Sequence, residues 1–372
     1  MDNPIRILHV LGRLDRGGAE TMVMNIYRNI DRSKVQFDFV IHSSDECDYS
    51  SEIRDLGGKI HTIARYTGKN HFAYKKSWNE FFKQNANYKI VHGHMRSTAS
   101  LYLGIARKHG VTTIAHSHNT SSGQGISAVV KNILQYNIKN NSDYFFACSQ
   151  MAGEWLFGKE VCKADNFHII KNAIDTRQYV FSEKSRNKIR KEFDIEGKFV
   201  IGHIGRFHEQ KNHEFLLKVF ESLCKFHDDA VLLLCGDGTL KDSIEQSAHM
   251  SDLNNKVIFT GVRSDIPELL QAMDVFVFPS QYEGLGIVLI EAQAAGLHCL
   301  ASDTVPKEAF ITDNVEAMSL KESQESWAIK VLDFATCYER KNLSDIIIES
   351  GYDILETSKW VQSFYIRKWK NE

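Results

Sequence analysis

The chain has 372 residues, 43% of them apolar and 25% charged, with no low-complexity tract. That composition excludes a disordered or collagenous chain, and the length exceeds what one ordinary core fills, so two domains are expected. The net charge of −2 conceals an asymmetry, because residues 1–165 carry 21 Lys+Arg against 15 Asp+Glu while the remainder carries 24 against 32.

In chain order, Ile5–Leu11 reads as a strand, followed by a Gly17-Gly18 turn and a helix from Ala19 to Asn29. Further strands are expected at Phe37–Ile41, Ile90–His94, Thr113–His116 and Tyr144–Ser149, with Ile169–Asp175 as a last strand and exit turn. The charged segment Ser182–Phe193 leads into a second half with the same alternation. Its strands are Phe199–Ile204, Ala230–Cys235, Lys256–Thr260, Asp274–Phe278 and Cys299–Ser302, and its helices include His213–Phe226 and Ile266–Met273. An amphipathic helix, Tyr352–Lys370, presents Trp360, Phe364, Tyr365 and Trp369 and needs its apolar face covered. Strands alternating with helices imply two parallel, doubly wound sheets. Their strand ends would face each other across a cleft, at the switch points where open α/β sheets take ligands.

Seven cysteines, none spaced C-x-x-C and several inside apolar runs, read as free thiols of a reducing compartment. The first residues enter a strand without a basic, then apolar, leader, and no run reaches the ~18 apolar residues that span a bilayer, so a cytoplasmic protein is expected. Within residues 66–141 ten basic residues (Lys69, Lys75, Lys76, Lys83, Lys89, Arg96, Arg107, Lys108, Lys131, Lys139) stand against one acidic, Glu80. Such a one-sided patch favours a polyanion, whether an anionic membrane surface, a pyrophosphate-linked lipid or nucleic acid.

The most informative stretch is Pro279-Ser-Gln-Tyr-Glu283-Gly-Leu-Gly286, which leads into a helix carrying Glu291 and stopping at Gly296. Glu283 would sit on a loop at a strand's carboxyl end and Glu291 in the helix's second turn, about 12 Å along at 1.5 Å per residue. A phosphate would dock on the free N–H groups of Gly284, Leu285 and Gly286 between them. Two hydroxyl-rich ends flanking a phosphate is the layout of a nucleotide-sugar. Capping of the helix by Glu283 is the plainer alternative.

Arg206 and Lys211 bracket a loop at the end of another strand, where two cations could neutralise a diphosphate. Gly17-Gly18-Ala19-Glu20 opens a helix but lacks the G-x-G-x-x-G spacing, so no dinucleotide fingerprint is read there. Gly236-Asp-Gly238 lacks P-loop spacing and reads as a turn. His92 and His94, then His116 and His118, alternate along strands and so share faces. With no acidic residue near them in sequence they read as core or cleft-lining imidazoles, although four histidines could bind metal. His118, last in its strand, is best placed to meet substrate. No Asp-x-Asp occurs, so a Mg²⁺-bridged donor site is not expected.

These residues together resemble the retaining, metal-independent glycosyltransferases of family 4, which have the two-domain GT-B fold. The resemblance covers nearly the whole chain and rests on Gly17-Gly18-Ala-Glu20, Ala-His-Ser-His118-Asn, Lys171-Asn-Ala-Ile-Asp175, Gly205-Arg206…Lys211-Asn212, Gly236-Asp-Gly238 and Ser280-Gln-Tyr-Glu283-Gly-Leu-Gly286…Glu291-Ala. The flavour is that of bacterial capsular and exopolysaccharide enzymes. The resemblance implies an N-terminal acceptor domain of residues 1–180, braced by the returning helix 352–372, and a donor domain of residues 181–351. It also implies roles. Glu291 would hold the ribose, and Glu283 with Gly284, Leu285 and Gly286 the sugar and phosphate. Arg206 and Lys211 would stabilise the leaving diphosphate, Gly17 and Gly18 would admit the same phosphates, and His118 would contact the sugar.

The implied reaction moves a hexose or N-acetylhexosamine from a nucleoside diphosphate-sugar, UDP favoured, to a glycan or lipid-linked acceptor, with no cofactor, no metal and no nucleic-acid partner. Residues 66–141 would lean on the inner face of the plasma membrane. Two departures from the family pattern are visible: Leu285 replaces a commoner Phe, and Asp303-Thr-Val-Pro-Lys-Glu308 stands where many members carry Gly-Gly before Pro-Glu. A nucleotide-sugar epimerase of similar architecture and a non-catalytic nucleotide-sugar or glycan-binding protein are the alternatives.

Overall fold

The computed structural model describes residues 3–118, 135–251, 253, 255–336 and 340–370. Asn119, Lys131 and Cys337, which figure in the sequence reading, lie outside the described residues. The chain divides into two compact units, Met1–Ile174 with Gly351–Glu372, and Asp175–Ser350.

The first unit is built on a seven-stranded parallel sheet of β1 (Ile5–Val10), β2 (Val35–Ile41), β3 (Ile60–Thr62), β4 (Ile90–Gly93), β5 (Thr112–Ser117), β6 (Tyr144–Ala147) and β7 (Phe167–Ile169). Its order is β3-β2-β1-β4-β5-β6-β7, so the winding reverses between β1 and β4. Alternation along the strands sends Ile7, Phe37, Phe39 and Ile41 to one face and Leu8, Val10, Val40 and Val91 to the other, each into a separate apolar cluster. The C-terminal helix Ile354–Trp369 covers the first face. Asp353 caps it by accepting the Glu356 N–H at 3.0 Å, and Ile354, Val361, Phe364 and Tyr365 are buried against Tyr27, Phe37 and Phe39. Fully burying one such side chain contributes about 1.5–3 kcal/mol.

The second unit repeats the plan with β8 (Phe199–Ile204), β9 (Ala230–Cys235), β10 (Val257–Gly261), β11 (Val275–Phe278), β12 (His298–Ser302) and β13 (Val315–Met318). The order β10-β9-β8-β11-β12-β13 reverses between β8 and β11. Two Rossmann-like parallel sheets of this kind are the GT-B architecture. The charged segment after Ser182 is a helix, Glu183–Glu192, whose Arg186 and Arg190 reach Asp274 at 2.5 and 2.7 Å. Asp274 also accepts the Val200 N–H at 2.7 Å, which pins the start of β11 beside β8.

The sequence places a last strand of the first unit at Ile169–Asp175, whereas β7 is Phe167–Ile169. The partner strand β6 ends at Ala147, whose carbonyl takes the last ladder bond from Ile170, and the chain then leaves the sheet until Ile174 bridges to Asp353. Short edge strands β3 and β13 escape the sequence because three or four residues carry no legible alternation.

Candidate functional site

The two switch points carry different side chains. In the second unit β8 runs into Gly205-Arg206-Phe207-His208, a single helical turn at Glu209–Lys211, and the helix His213–Cys224. Asn212 takes φ 58° to make that corner. β11 runs into Pro279-Ser-Gln-Tyr-Glu283 and the helix Ile287–Ala294. The two loops are sewn together: Gln281 N–H donates to Gln210 O at 2.8 Å, the Gln210 amide donates to Tyr282 O at 2.9 Å, and the Asn212 amide donates to Pro279 O at 3.2 Å.

At the centre Lys211 Nζ meets Glu283 Oε1 at 2.6 Å, with side chains only 15% and 7% exposed. Gln210 adds a bond to the other carboxylate oxygen at 3.3 Å, and the Lys211 ammonium lies 4.7 Å above the Phe278 ring. Removing one member of so buried a pair costs about 3–5 kcal/mol, because the partner charge is left stranded. Arg206 is exposed on the same loop and makes no ion pair among the described residues. Beneath it runs Gly236-Asp-Gly238. Phe207 N–H donates to Asp237 O at 3.0 Å, and a Cβ on Gly236, which sits at φ 143°, would meet Gly205 O at 2.1 Å. The turn expected there is therefore also the floor of the Arg206 loop.

Gly286 sits at φ 84° and directs the chain into the helix, leaving the N–H groups of its first turn free of a side-chain cap. Glu291 lies inward on that helix, where its carboxylate accepts the Tyr179 O–H at 3.0 Å. Burial pushes its carboxyl up from the usual range, opposed by that hydrogen bond. Tyr179 and Gln210 carry no motif, and only their contacts reveal them.

In the first unit the switch point holds imidazoles. His9 and His94 meet at 2.9 Å (Nδ1 to Nε2), His94 and His118 at 2.8 Å (Nδ1 to Nε2), and His92 and His116 at 3.1 Å (Nε2 to Nδ1), while Tyr365 Oη lies 2.6 Å from His92 Nδ1. Burial lowers all five histidines, His9 to about 3 and His118 to about 4, so each is neutral near pH 7. His94 and His118 line a cavity of about 390 Å³ together with Gly12, Gly18, Glu20 and Asn172. Gly18 has open space where a Cβ would stand, whereas the Glu20 carboxylate folds back over Gly17. Burial also pushes the Glu20 carboxyl up.

The sequence-assigned residues thus fall into two groups. Arg206, Lys211, Glu283, Gly284, Leu285, Gly286 and Glu291 gather at the second unit's switch point; Gly17, Gly18 and His118 lie at the first unit's. The sequence finds no acid beside the histidines, but the fold brings Glu20 from the start of the first helix into their cavity. Chain separation hides that neighbour, since Glu20 and His118 are 98 residues apart.

Residues 16–178 match the family described as Glycosyltransferase Family 4, and residues 185–352 match Glycosyl transferases group 1. EpsF of Bacillus subtilis (strain 168), provisionally named a glycosyltransferase, is 36% identical over 94% of this chain and 93% of its own. An Escherichia coli UDP-Gal:alpha-D-GlcNAc-diphosphoundecaprenol alpha-1,3-galactosyltransferase is 24% identical over 75% of each chain. Among solved structures, a glycosyltransferase of Rickettsia africae ESF-5 superposes with a TM-score of 0.79 at 17% identity over the full length of both chains. Anabaena HepE in complex with UDP superposes at 0.76, again at 17% identity, over 97% of this chain and 99% of its own.

Proposed function

The chain belongs to the family 4 glycosyltransferases, and from that premise we propose a retaining transfer of a hexose or N-acetylhexosamine from a UDP-sugar to a lipid-linked or glycan acceptor in surface polysaccharide synthesis. The observation that carries the donor assignment is the buried Lys211–Glu283 pair beside Arg206, which makes no ion pair among the described residues, at a strand-order reversal. A UDP-sugar is favoured because the E. coli relative acts on UDP-Gal and HepE is solved with UDP and with UDP-glucose. The same relative, named for a diphosphoundecaprenol-linked sugar, supports a lipid-linked acceptor.

In this reading Glu291, oriented by Tyr179, takes the ribose hydroxyls. Glu283 and the amides of Gly284, Leu285 and Gly286 hold the sugar and a phosphate. Arg206 and Lys211 face the charge that grows on the departing diphosphate, a preorganised electrostatic effect commonly contributing about 3–4 kcal/mol per donor group. Gly18 leaves open space for a phosphate, whereas at Gly17 the Glu20 carboxylate has to swing away first, and His118, neutral by burial, hydrogen-bonds the sugar. The acceptor oxygen bonds to the anomeric carbon as the bond from that carbon to the diphosphate oxygen breaks on the same face. Attack and departure on one face retain the configuration, the hydroxyl proton passes to the leaving oxygen, and Arg206 with Lys211 supplies the positive charge in place of a divalent metal. No described helix is long and apolar enough to cross a membrane. The helix His71–Gln84, with Phe72 86% exposed beside Lys75, Lys76 and Lys83, is the part of the basic surface best suited to anionic lipid.

The test is nucleoside diphosphate release from UDP-, GDP- and ADP-sugars in chelator, with crude membrane as acceptor. Release from a UDP-sugar alone, lost in Glu283→Ala and Arg206→Ala, is the expected result. Isomerised sugar without acceptor would mean an epimerase, and binding without any release a non-catalytic receptor.

A further inference from the structure

The imidazole cluster of the first unit is larger than one sugar contact requires. His94 follows β4, His116 lies in β5 and His118 follows it, and one ring nitrogen from each falls within 4.8 Å of the others. Two cavities, of about 390 and 230 Å³, open beside them, and His94 and His118 line both. The polar chemistry around the triad is incomplete. His116 Nε2 and His118 Nδ1 are buried yet have no hydrogen-bond partner among the described residues, and Asn172 Oδ1 on the same cavity wall has none either. A buried polar atom without a partner carries a desolvation cost of about 1–3 kcal/mol; of these, His116 Nε2 belongs to the triad and lines the smaller cavity, while His118 Nδ1 and Asn172 Oδ1 belong to residues lining the larger.

The outer contacts of these rings are those of ligating histidines. A metal-bound imidazole usually has its second nitrogen fixed by another polar group, which sets the tautomer and aims the first. His92 occupies His116 Nδ1 at 3.1 Å and is itself held by Tyr365 at 2.6 Å, leaving His116 Nε2 free. His9 occupies His94 Nε2 at 2.9 Å, leaving His94 Nδ1 aimed at His118 Nε2, 2.8 Å away. Binding one tetrahedral ion at about 2.0–2.1 Å from each nitrogen requires that pair to open to about 3.3 Å and the two rings to tilt until their lone pairs converge.

We propose that His94, His116 and His118 form a binding site for one divalent transition-metal ion, with a fourth position facing the cavity that Glu20 and Asn172 line. Three imidazoles select the zinc, cobalt, nickel and copper group over magnesium or calcium, which prefer oxygen. Glu20, the one carboxylate among the described residues lining the cavity, balances the added charge. Because the metal engages His118, its binding lowers sugar transfer; that consequence, unlike the site itself, rests on the donor role proposed above.

The full chain, stripped with chelator and dialysed free of it, is titrated with Co²⁺ and read by the ligand-field absorption of four-coordinate cobalt, with Zn²⁺ as competitor. One Co²⁺ per chain, displaced by Zn²⁺, is expected. His116→Asn and His118→Asn should each weaken binding tenfold or more, circular dichroism confirming the fold in each case. If one variant fails to fold, the other decides. Absence of the band in the wild type, or binding unchanged in a folded variant, overturns the site. UDP-sugar turnover in chelator is measured separately. A chain that binds Co²⁺ but turns over no donor keeps this site and loses the transferase reading, and the reverse result does the opposite.

Discussion

The carboxyl ends of the two sheets solve one problem in two ways. Both reverse strand order at their first and fourth strands, and both bury polar side chains there. At β8 and β11 the polarity is charged and paired: Lys211 against Glu283, with Gln210 satisfying the second oxygen. At β1, β4 and β5 it is neutral and shared, five imidazoles passing hydrogen bonds to one another and to Tyr365. A charged pair can answer a diphosphate. A neutral imidazole chain keeps lone pairs and can take up a metal or a sugar hydroxyl, but it gives way when protonated. One topology therefore yields an electrostatic site and a coordinating site.

Acid should separate the two units most sharply. An unfolded histidine binds its proton near 6.5, whereas His118 does so in the fold at about 4 and His9 at about 3. Their contribution to stability is complete above the unfolded value and is lost as the pH falls through the window between the two. The second unit has His213, lowered to about 4, and His203, also lowered by burial, as its counterparts. Limited proteolysis between about pH 7 and about pH 4 should cut first within residues 3–118 and only later within 175–350. Simultaneous cutting would dissolve the contrast.

Glu283→Ala breaks the paired site. Turnover should fall about 10²–10³-fold, the scale of losing a preorganised group, and melting should also fall because Lys211 is stranded. Arg206→Ala sharpens the same point: about a hundredfold loss of kcat is expected with unchanged melting, since Arg206 is exposed and pairs with nothing described. A matching drop in melting would make Arg206 structural. Tyr179→Phe is the mildest test. Losing one hydrogen bond to a carboxylate should raise the donor KM about tenfold and leave kcat near wild type.

Much of this arrangement is legible from residues alone, for identifiable reasons. Long buried strands such as Ala230–Cys235 announce themselves by composition, and Gly286 and Gly296 mark helix ends through conformations that other residues avoid. The Glu283–Glu291 spacing and the Arg206–Lys211 loop are local, so their gathering at one switch point follows once strand order is known. What stays hidden is contact across chain separation. Tyr179 reaches Glu291 from 112 residues away, Tyr365 reaches His92 from 273, and Glu20 joins His118 in one cavity. No spacing records such meetings. Helix Glu183–Glu192 is obscured for another reason: its mostly charged sequence shows solvent, while the structure uses Arg186 and Arg190 to anchor Asp274.

Hydrogen exchange of the full chain, with and without a saturating UDP-sugar in chelator, addresses the donor assignment directly. Donor should protect the backbone at 204–212 and 279–291, with smaller protection around Gly17, Gly18 and His118. Protection confined to the histidine end of the first unit, with the Arg206 and Glu283 loops unchanged, would contradict the account.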